Sequence, residues 1–369
     1  MFSNDGIMTF LTPALIMGGI SLFFAIVLVI ATRYLAEYGT CRISVNKGDE
    51  EFEIAGGESL LSSLLFKKIF IPSACGGRGS CGYCKLKVPQ GGGMLMPTER
   101  PYLSHKEIED KIRLACQVKV KNDLEVEVPE EYLAIQEYRA AVKYSKELTY
   151  DIKEVRFKLL EPDNIRFKPG QYIQFHISSK GETIYRAYSI SSCTSTPGEV
   201  ELIVRLVPGG IGSTYIHSLK EGDEVTISGP YGEFFLQEDS PLDIVCVGGG
   251  AGMAPLKSII YSLFEKGSDR KVDLYFGVRS TEDLFYIKEF DKLKAKHPNF
   301  NYCYALSSPG ESDDWDGEKG FIHLVLEKLL TDGHKKEAYL CGPPIMTDAV
   351  IKVLTEKDVR EDNIYFDKF

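Results

Sequence analysis

Cys75-Gly76-Gly77-Arg78-Gly79-Ser80-Cys81-Gly82-Tyr83-Cys84 puts three thiols on one loop, and its interleaved glycines let the backbone approach whatever those thiols hold. A fourth thiol, Cys116, follows after a long gap. Four thiolates gathered in this way suit a [2Fe–2S] cluster, with Cys75, Cys81, Cys84 and Cys116 as candidate ligands. The first interval is one residue longer than the C-x4-C-x2-C spacing of such sites, so the spacing alone does not decide the matter. Zinc and disulfides are the competing readings. Structural zinc favours paired C-x2-C knuckles, of which the loop has one, and stable disulfides need an oxidising compartment. Arg78 either offsets part of a cluster's negative charge or is simply solvated.

Working outward, 369 residues with 44% apolar content can bury several cores; at about 100–200 residues per domain, two to four domains are expected. A formal net charge of −10, with no basic patch, argues against a nucleic-acid partner. The remaining cysteines, Cys41, Cys193, Cys246, Cys303 and Cys341, are scattered without framework spacing, as in a reducing compartment.

From Gly6 to Thr32 no residue is charged, and Ile20 to Ile30 is nearly pure hydrocarbon, enough as a helix to cross about 30 Å of lipid interior. A cleaved signal peptide is the alternative, but Asp5 replaces the usual basic start and the apolar run is long for one. Arg33 and Arg42 follow the run, so the positive-inside rule places the rest of the chain in the cytoplasm.

After that anchor, Arg42–Asn46 and Glu51–Ile54 alternate around Lys47-Gly48-Asp49, and Ser59 caps an apolar helix through Phe66. Lys85–Val88 and Leu124–Val128 alternate again, so the cysteine loop is expected at the rim of a small sheet that resembles the ferredoxin β-grasp. From about Tyr138 the chain becomes strands punctuated by Pro and Gly, which suits an antiparallel barrel. In it, Arg186 and Tyr188 share one face of a strand beside Ser189. Arginine grips a pyrophosphate, tyrosine stacks on an isoalloxazine, and the serine can hydrogen-bond the ring near the hydride-accepting nitrogen. Gly212-Ser213-Thr214 opens a helix whose N-terminus suits a second phosphate, favouring FAD over FMN. Arg205 and Val207 are weaker candidates for the adenosine side.

Leu242–Val247 reads as a buried strand running into Gly249-Gly250-Ala251-Gly252-Met253 and then an amphipathic helix, the order of a dinucleotide site. The match is imperfect, because the third glycine of G-x-G-x-x-G falls at Met253 and no acidic residue closes the next strand. Arg279 and Ser280 stand where an adenosine ribose would lie, and Glu282 and Asp283 would repel a 2′-phosphate, so NADH is expected over NADPH. Cys341-Gly342-Pro343-Pro344 ends another strand at the same sheet edge; Cys341 is a candidate for nicotinamide contact or a buried small hydrophobe. The aromatic terminus Phe369 either covers the flavin until nicotinamide displaces it or frays.

Taken together, the cysteine loop, Arg186-Ala-Tyr188-Ser189, Gly229-Pro-Tyr-Gly-Glu-Phe-Phe235, the Gly248 to Pro255 loop and the Cys341 tail resemble the F subunits of sodium-translocating NADH:quinone oxidoreductases along the whole chain. The expected fold is a multi-domain α+β and α/β chain. It has a transmembrane anchor over 1–34, a β-grasp 2Fe-2S domain over 38–130, an antiparallel FAD-binding barrel over 137–240 and a parallel-sheet NADH-binding domain over 241–369. The resemblance implies NADH oxidation on the cytoplasmic side of a bacterial inner membrane, with electrons passing from FAD through the cluster to other membrane subunits and finally quinone. Sodium transport would belong to the complex, since one span makes no ion path. An NADH-dependent reductase feeding an oxygenase shares the three soluble parts but needs no anchor, and a tethered redox sensor would turn over no substrate.

Overall fold

The computed structural model describes residues 15–29, 38–179, 182–310 and 314–368. Residues 15–29 form a helix (α1) whose side chains are all exposed. At 1.5 Å per residue it rises about 22 Å, and among the described residues no helix is long and apolar enough to cross a membrane. The rest of the apolar run, like Phe369, lies outside the described residues. By its internal contacts the chain divides into two units, Met1–Ile71 with Gly77–Leu133, and Pro72–Gly76 with Ala134–Phe369.

The first unit carries the expected alternation into a mixed sheet. Strands β1 (Thr40–Val45) and β2 (Glu50–Ala55) pair antiparallel, followed by α2 (Leu60–Phe66), β3 (Lys85–Gln90), α3 (His105–Glu109), β4 (Ile112–Leu114), β5 (Leu124–Glu127) and α4 (Glu130–Leu133). The order is β2-β1-β5-β3-β4, with β1 parallel to β5 in the middle. Period two turns Cys41, Ile43 and Val45 inward on β1, where they meet Leu60, Leu61 and Leu64 of α2. Ser59 caps α2 as its sequence predicts, its Oγ accepting from the Ser62 amide at 3.1 Å. Each fully buried leucine of that face contributes roughly 1.5–3 kcal/mol of transfer free energy. The short α3 and β4 escape the sequence pattern, and they place Cys116.

In the second unit, β6 (Gln136–Glu147), β7 (Ile152–Glu161), β8 (Tyr172–Ser179), β9 (Glu182–Ser189), β10 (Glu199–Arg205) and β11 (Glu224–Tyr231) form an antiparallel sheet ordered β10-β7-β6-β11-β8-β9. A bridge between Ile190 and Leu202 joins its two ends, so the sheet closes on itself around Phe157, Phe175, Ile173 and Ile227. Helix α5 (Ile211–Ser218) follows β10.

The chain then runs β12 (Asp243–Gly249), α6 (Met253–Glu265), β13 (Val272–Val278), α7 (Ile287–Lys296), β14 (Phe300–Leu306), β15 (Glu318–Lys319), α8 (Ile322–Leu329), β16 (Lys336–Gly342), α9 (Pro344–Glu356) and β17 (Ile364–Lys368). All its strand pairs are parallel, in the order β15-β14-β13-β12-β16-β17. Alternate residues of β12 serve opposite cores: Ile244 and Cys246 face α6, and Val245 and Val247 face α8 and α9. The last described segment is an edge strand, with Ile364 to Lys368 paired to Ala338 to Gly342.

Candidate functional site

The cysteine loop owes its path to glycine. Gly77, Gly79 and Gly82 all have positive φ, and a Cβ on Gly79 would lie 2.6 Å from Gln117 Nε2. Cys84 is buried, and a hydrogen bond with Cys116 followed by burial drives its thiol far above its ordinary value, with Cys81 adding like charge. The structure therefore brings Cys81, Cys84 and Cys116 together. Cys75 is half-buried on Pro72–Gly76, the segment that groups with the second unit. Among the described residues no group of His, Cys, Asp or Glu matches the shell of a single metal ion. Neighbouring thiols become ligands once deprotonated, and a binuclear cluster spreads four such thiolates over two irons.

Behind Cys116 lies a pair the sequence reading missed. Arg113 on β4 donates from Nε and Nη2 to the two oxygens of Glu99 at 2.9 and 2.7 Å. It also donates to the carbonyls of Gly92, Gly93 and Met94. The amides of Met96 and Leu114 complete the shell of the carboxylate at 2.8 and 3.0 Å. Burial alone would raise the Glu99 pKa, but the Arg113 bond and the two amides outweigh it and hold the group below its ordinary value.

In the barrel, Arg186 and Tyr188 stand two apart on β9 with Ser189 at its end, facing Phe175, Ile173 and Tyr172 of β8. Helix α5 presses its first turn onto them. A Cβ on Gly212 would run into the Tyr188 hydroxyl and lie 2.8 Å from Arg186 Cγ, so only glycine lets this N-terminus come so close. No side chain caps it, leaving first-turn amides for an anionic ligand. Burial raises the Tyr188 hydroxyl to about 12, so it stays a neutral hydrogen-bond donor. Ser213 serves the turn itself, its Oγ accepting from the Val207 amide at 3.0 Å and reaching the Gly210 carbonyl. Thr214 and Val207 are exposed. Arg205 pairs with Asp151 at 2.8 Å and lies beside Gly250, at 3.5 Å from where its Cβ would be.

The dinucleotide loop sits where the sheet order reverses, since from β12 the chain builds outward through β13 on one side and through β16 on the other. Gly249 closes β12, Gly250 to Gly252 make one tight turn, and α6 starts at Met253 without a side-chain cap. A Cβ on Gly252 would collide with the carbonyl of Cys341, whose carbon would be 2.6 Å away, so glycine here is what lets the loop and the Cys341-Gly342 turn touch. Gly249 is likewise hemmed in by the Gly277 carbonyl and Met346. Met253, which breaks the glycine motif, turns its side chain into the core and offers only backbone to a ligand. Cys341 is also in that core, where burial pushes its thiol well above its ordinary value and keeps it neutral. Gly342 is buried and Pro343 exposed at the same edge.

Arg279 is held by Asp283 through Nε at 3.1 Å and Nη2 at 2.9 Å, and it bonds the hydroxyl of Tyr150. Ser280 and Asp283 form a reciprocal cap. The guanidinium is thus already paired with a carboxylate, which disfavours a 2′-phosphate beside it. An open cleft along β14, lined by Tyr302, Cys303, Trp315 and Lys328, contains none of the expected site residues.

Comparison with known proteins agrees with this geometry segment by segment. The family model for a 2Fe-2S iron-sulfur cluster binding domain matches residues 43–121, that for an oxidoreductase FAD-binding domain 139–236, and that for an oxidoreductase NAD-binding domain 246–352. The chain therefore takes a [2Fe–2S] cluster, FAD and NADH. Among solved structures, the cytochrome P450 reductase GcoB of Amycolatopsis is similar at a TM-score of 0.71 and 28% identity, covering 89% of this chain and 98% of that one. The ferredoxin reductase in carbazole 1,9a-dioxygenase gives 0.69 and 28%, over 90% and 98%. Curated relatives named as F subunits of the Na(+)-translocating NADH-quinone reductase match more fully. The protein of Actinobacillus succinogenes is 39% identical over 95% of this chain and 96% of its own length, and that of Neisseria meningitidis 39% identical over 95% and 98%. With the identity running through the cluster, flavin and nucleotide segments alike, the chain belongs to the family of Na(+)-translocating NADH-quinone reductase F subunits.

Proposed function

We propose that this chain is the electron-input subunit of a bacterial membrane respiratory complex, oxidising NADH and passing electrons to partner subunits and on to quinone while the complex transports sodium. The observation that carries the reading is the presence of three cofactor modules in one chain whose relatives span 95% of it. The bound cofactors supply the conversion of a two-electron hydride into single electrons. The residues of this chain bind and orient. Cys75, Cys81, Cys84 and Cys116 are the thiolates for iron. Arg186 and the α5 amides at Gly212 to Thr214 suit the pyrophosphate of FAD, Tyr188 its ring, and Ser189 the ring edge where hydride arrives, with Arg205 and Val207 toward the adenosine. The loop from Gly249 to Met253 takes the pyrophosphate of NADH, Arg279 and Ser280 its ribose side, and Cys341, Gly342 and Pro343 line the nicotinamide end. Phe369 remains the candidate cover for the flavin.

Four segments divide this work: an anchor over 1–34, the cluster domain over 38–130, the flavin barrel over 137–240 and the nucleotide domain over 241–369. The exposed apolar side chains of α1, from Leu15 at 70% to Val29 at 66%, support a lipid anchor. Arg33 and Arg42 support a cytoplasmic location for the rest, on the inner membrane.

The likeness to two reductases that serve oxygen-using enzymes supports a second reading, a soluble-type reductase component. Anaerobic mixing of the intact membrane complex with NADH and a quinone separates the two. The first reading expects flavin bleaching, then a reduced-cluster electron paramagnetic resonance signal, then quinone reduction. Bleaching without quinone reduction favours the second, and no bleaching refutes both.

A further inference from the structure

Glu154 on β7 and Glu201 on β10 are buried carboxylates on neighbouring barrel strands, and one amine bridges them. Lys257 of α6 places Nζ 3.2 Å from Glu154 Oε2 and 2.5 Å from Glu201 Oε1. Tyr144 donates its hydroxyl toward Glu154 at 2.9 Å and Glu201 at 3.0 Å, and Arg156 holds the second oxygen of Glu201. The Tyr286 hydroxyl bonds Glu154 and lies 3.3 Å from Lys257 Nζ. Tyr286 adopts φ +64, a left-handed backbone uncommon for a bulky side chain, which persists only where the surroundings enforce it.

The position of this cluster gives it meaning. Lys257 lies one helical turn beyond Met253, where the dinucleotide loop ends. Glu201 also accepts from Ser191 Oγ at 2.9 Å, two residues past Ser189. The next residue, Ser192, accepts at its carbonyl from Ser258 Oγ at 2.7 Å, and the Thr194 amide donates to Ser262 Oγ at 3.2 Å. The strand end that carries the flavin candidates and the helix that carries the nucleotide loop are therefore clamped by one buried polar cluster. We propose that Lys257, bridging Glu154 and Glu201, is a positioning residue that sets the gap between bound nicotinamide and bound flavin, and hence the rate of hydride transfer. The proposal rests on the NADH-to-FAD reading above.

A displacement of about 1 Å between reacting groups can cost about a hundredfold in rate. The full-length, FAD-loaded protein should be mixed anaerobically with NADH, and flavin bleaching followed in a single turnover. Lys257→Met should slow bleaching at saturating NADH by about tenfold to a hundredfold, with FAD content unchanged and half-saturating NADH little moved. Lys257→Arg should recover part of the rate, and the exposed Lys266→Met none of the loss. Should Lys257→Met fold poorly, Lys257→Met/Glu154→Gln removes the carboxylate left without a cation while Arg156 still holds Glu201, and should regain thermal stability without regaining the rate. A Lys257→Met rate within twofold of the parent, or a double variant that recovers both stability and rate, overturns the proposal. Failure of the parent protein to bleach would instead overturn the NADH-to-FAD reading.

Discussion

Replacing Glu99 by Gln tests whether the pair behind Cys116 fastens the cluster loop. The side chain of Glu99 is fully buried and that of Arg113 nearly so, at 0% and 9% exposure. The carboxylate accepts from both arms of Arg113 and from two backbone amides. An amide in its place leaves a buried guanidinium without its counter-charge and turns an NH2 group toward donors. Breaking a buried pair from one side costs about 3–5 kcal/mol, and each kcal/mol moves the midpoint of a domain this small by about 4–8 °C. The midpoint for thermal bleaching of the cluster absorbance should therefore fall by about 12 °C or more. The half-exposed pair Lys85–Glu107 is the internal control. At 2.7 Å it is as short, and its hydrogen bond to Lys85 lowers the Glu107 pKa to about 2. With roughly a third of each side chain in water, Glu107→Gln should cost no more than about 1 kcal/mol. The sign with pH follows from the lowered Glu99 pKa. Its stabilisation is complete above the unfolded-state value and is lost as pH falls through the folded one, so the gap between parent and Glu99→Gln should narrow in acid. Equal, small shifts for Glu99→Gln and Glu107→Gln would refute the argument from burial.

Cys81→Ala should leave NADH bleaching of the flavin near the parent rate while abolishing the reduced-cluster resonance signal and transfer to one-electron acceptors. If transfer survives, Cys81 is not an iron ligand. Gly252→Ala drives a Cβ into the Cys341 carbonyl, and should raise the NADH concentration needed for half-maximal bleaching at least about tenfold, at normal FAD content; an unchanged value would mean the loop does not hold NADH. Tyr188→Ala should lower the flavin retained through purification, as read by cofactor extraction. Full occupancy would remove Tyr188 from the flavin site.

What the chain disclosed in advance was local. Alternation found β1, β2, β3 and β5, Ser59 marked the start of α2, and strand, glycine loop and helix marked β12 to α6, because each depends on neighbours a few residues apart. Met253 looked like a fault in a glycine motif, yet its buried side chain shows that helix packing there takes a hydrophobe. The terminal β17 was invisible because a parallel edge strand is defined by a partner more than twenty residues away, and Ile364 to Lys368 has no alternation of its own. The buried charges were hidden for the same reason, though they left a trace. In Val200-Glu-Leu-Ile-Val204 one carboxylate interrupts a run that is otherwise buried on both faces, a placement that carries a steep desolvation cost unless a cation arrives from elsewhere in the fold. Lys257, fifty-six residues on, is that cation. Local pattern can thus announce that a partner is required, while only the packing of α6 against the barrel says which one.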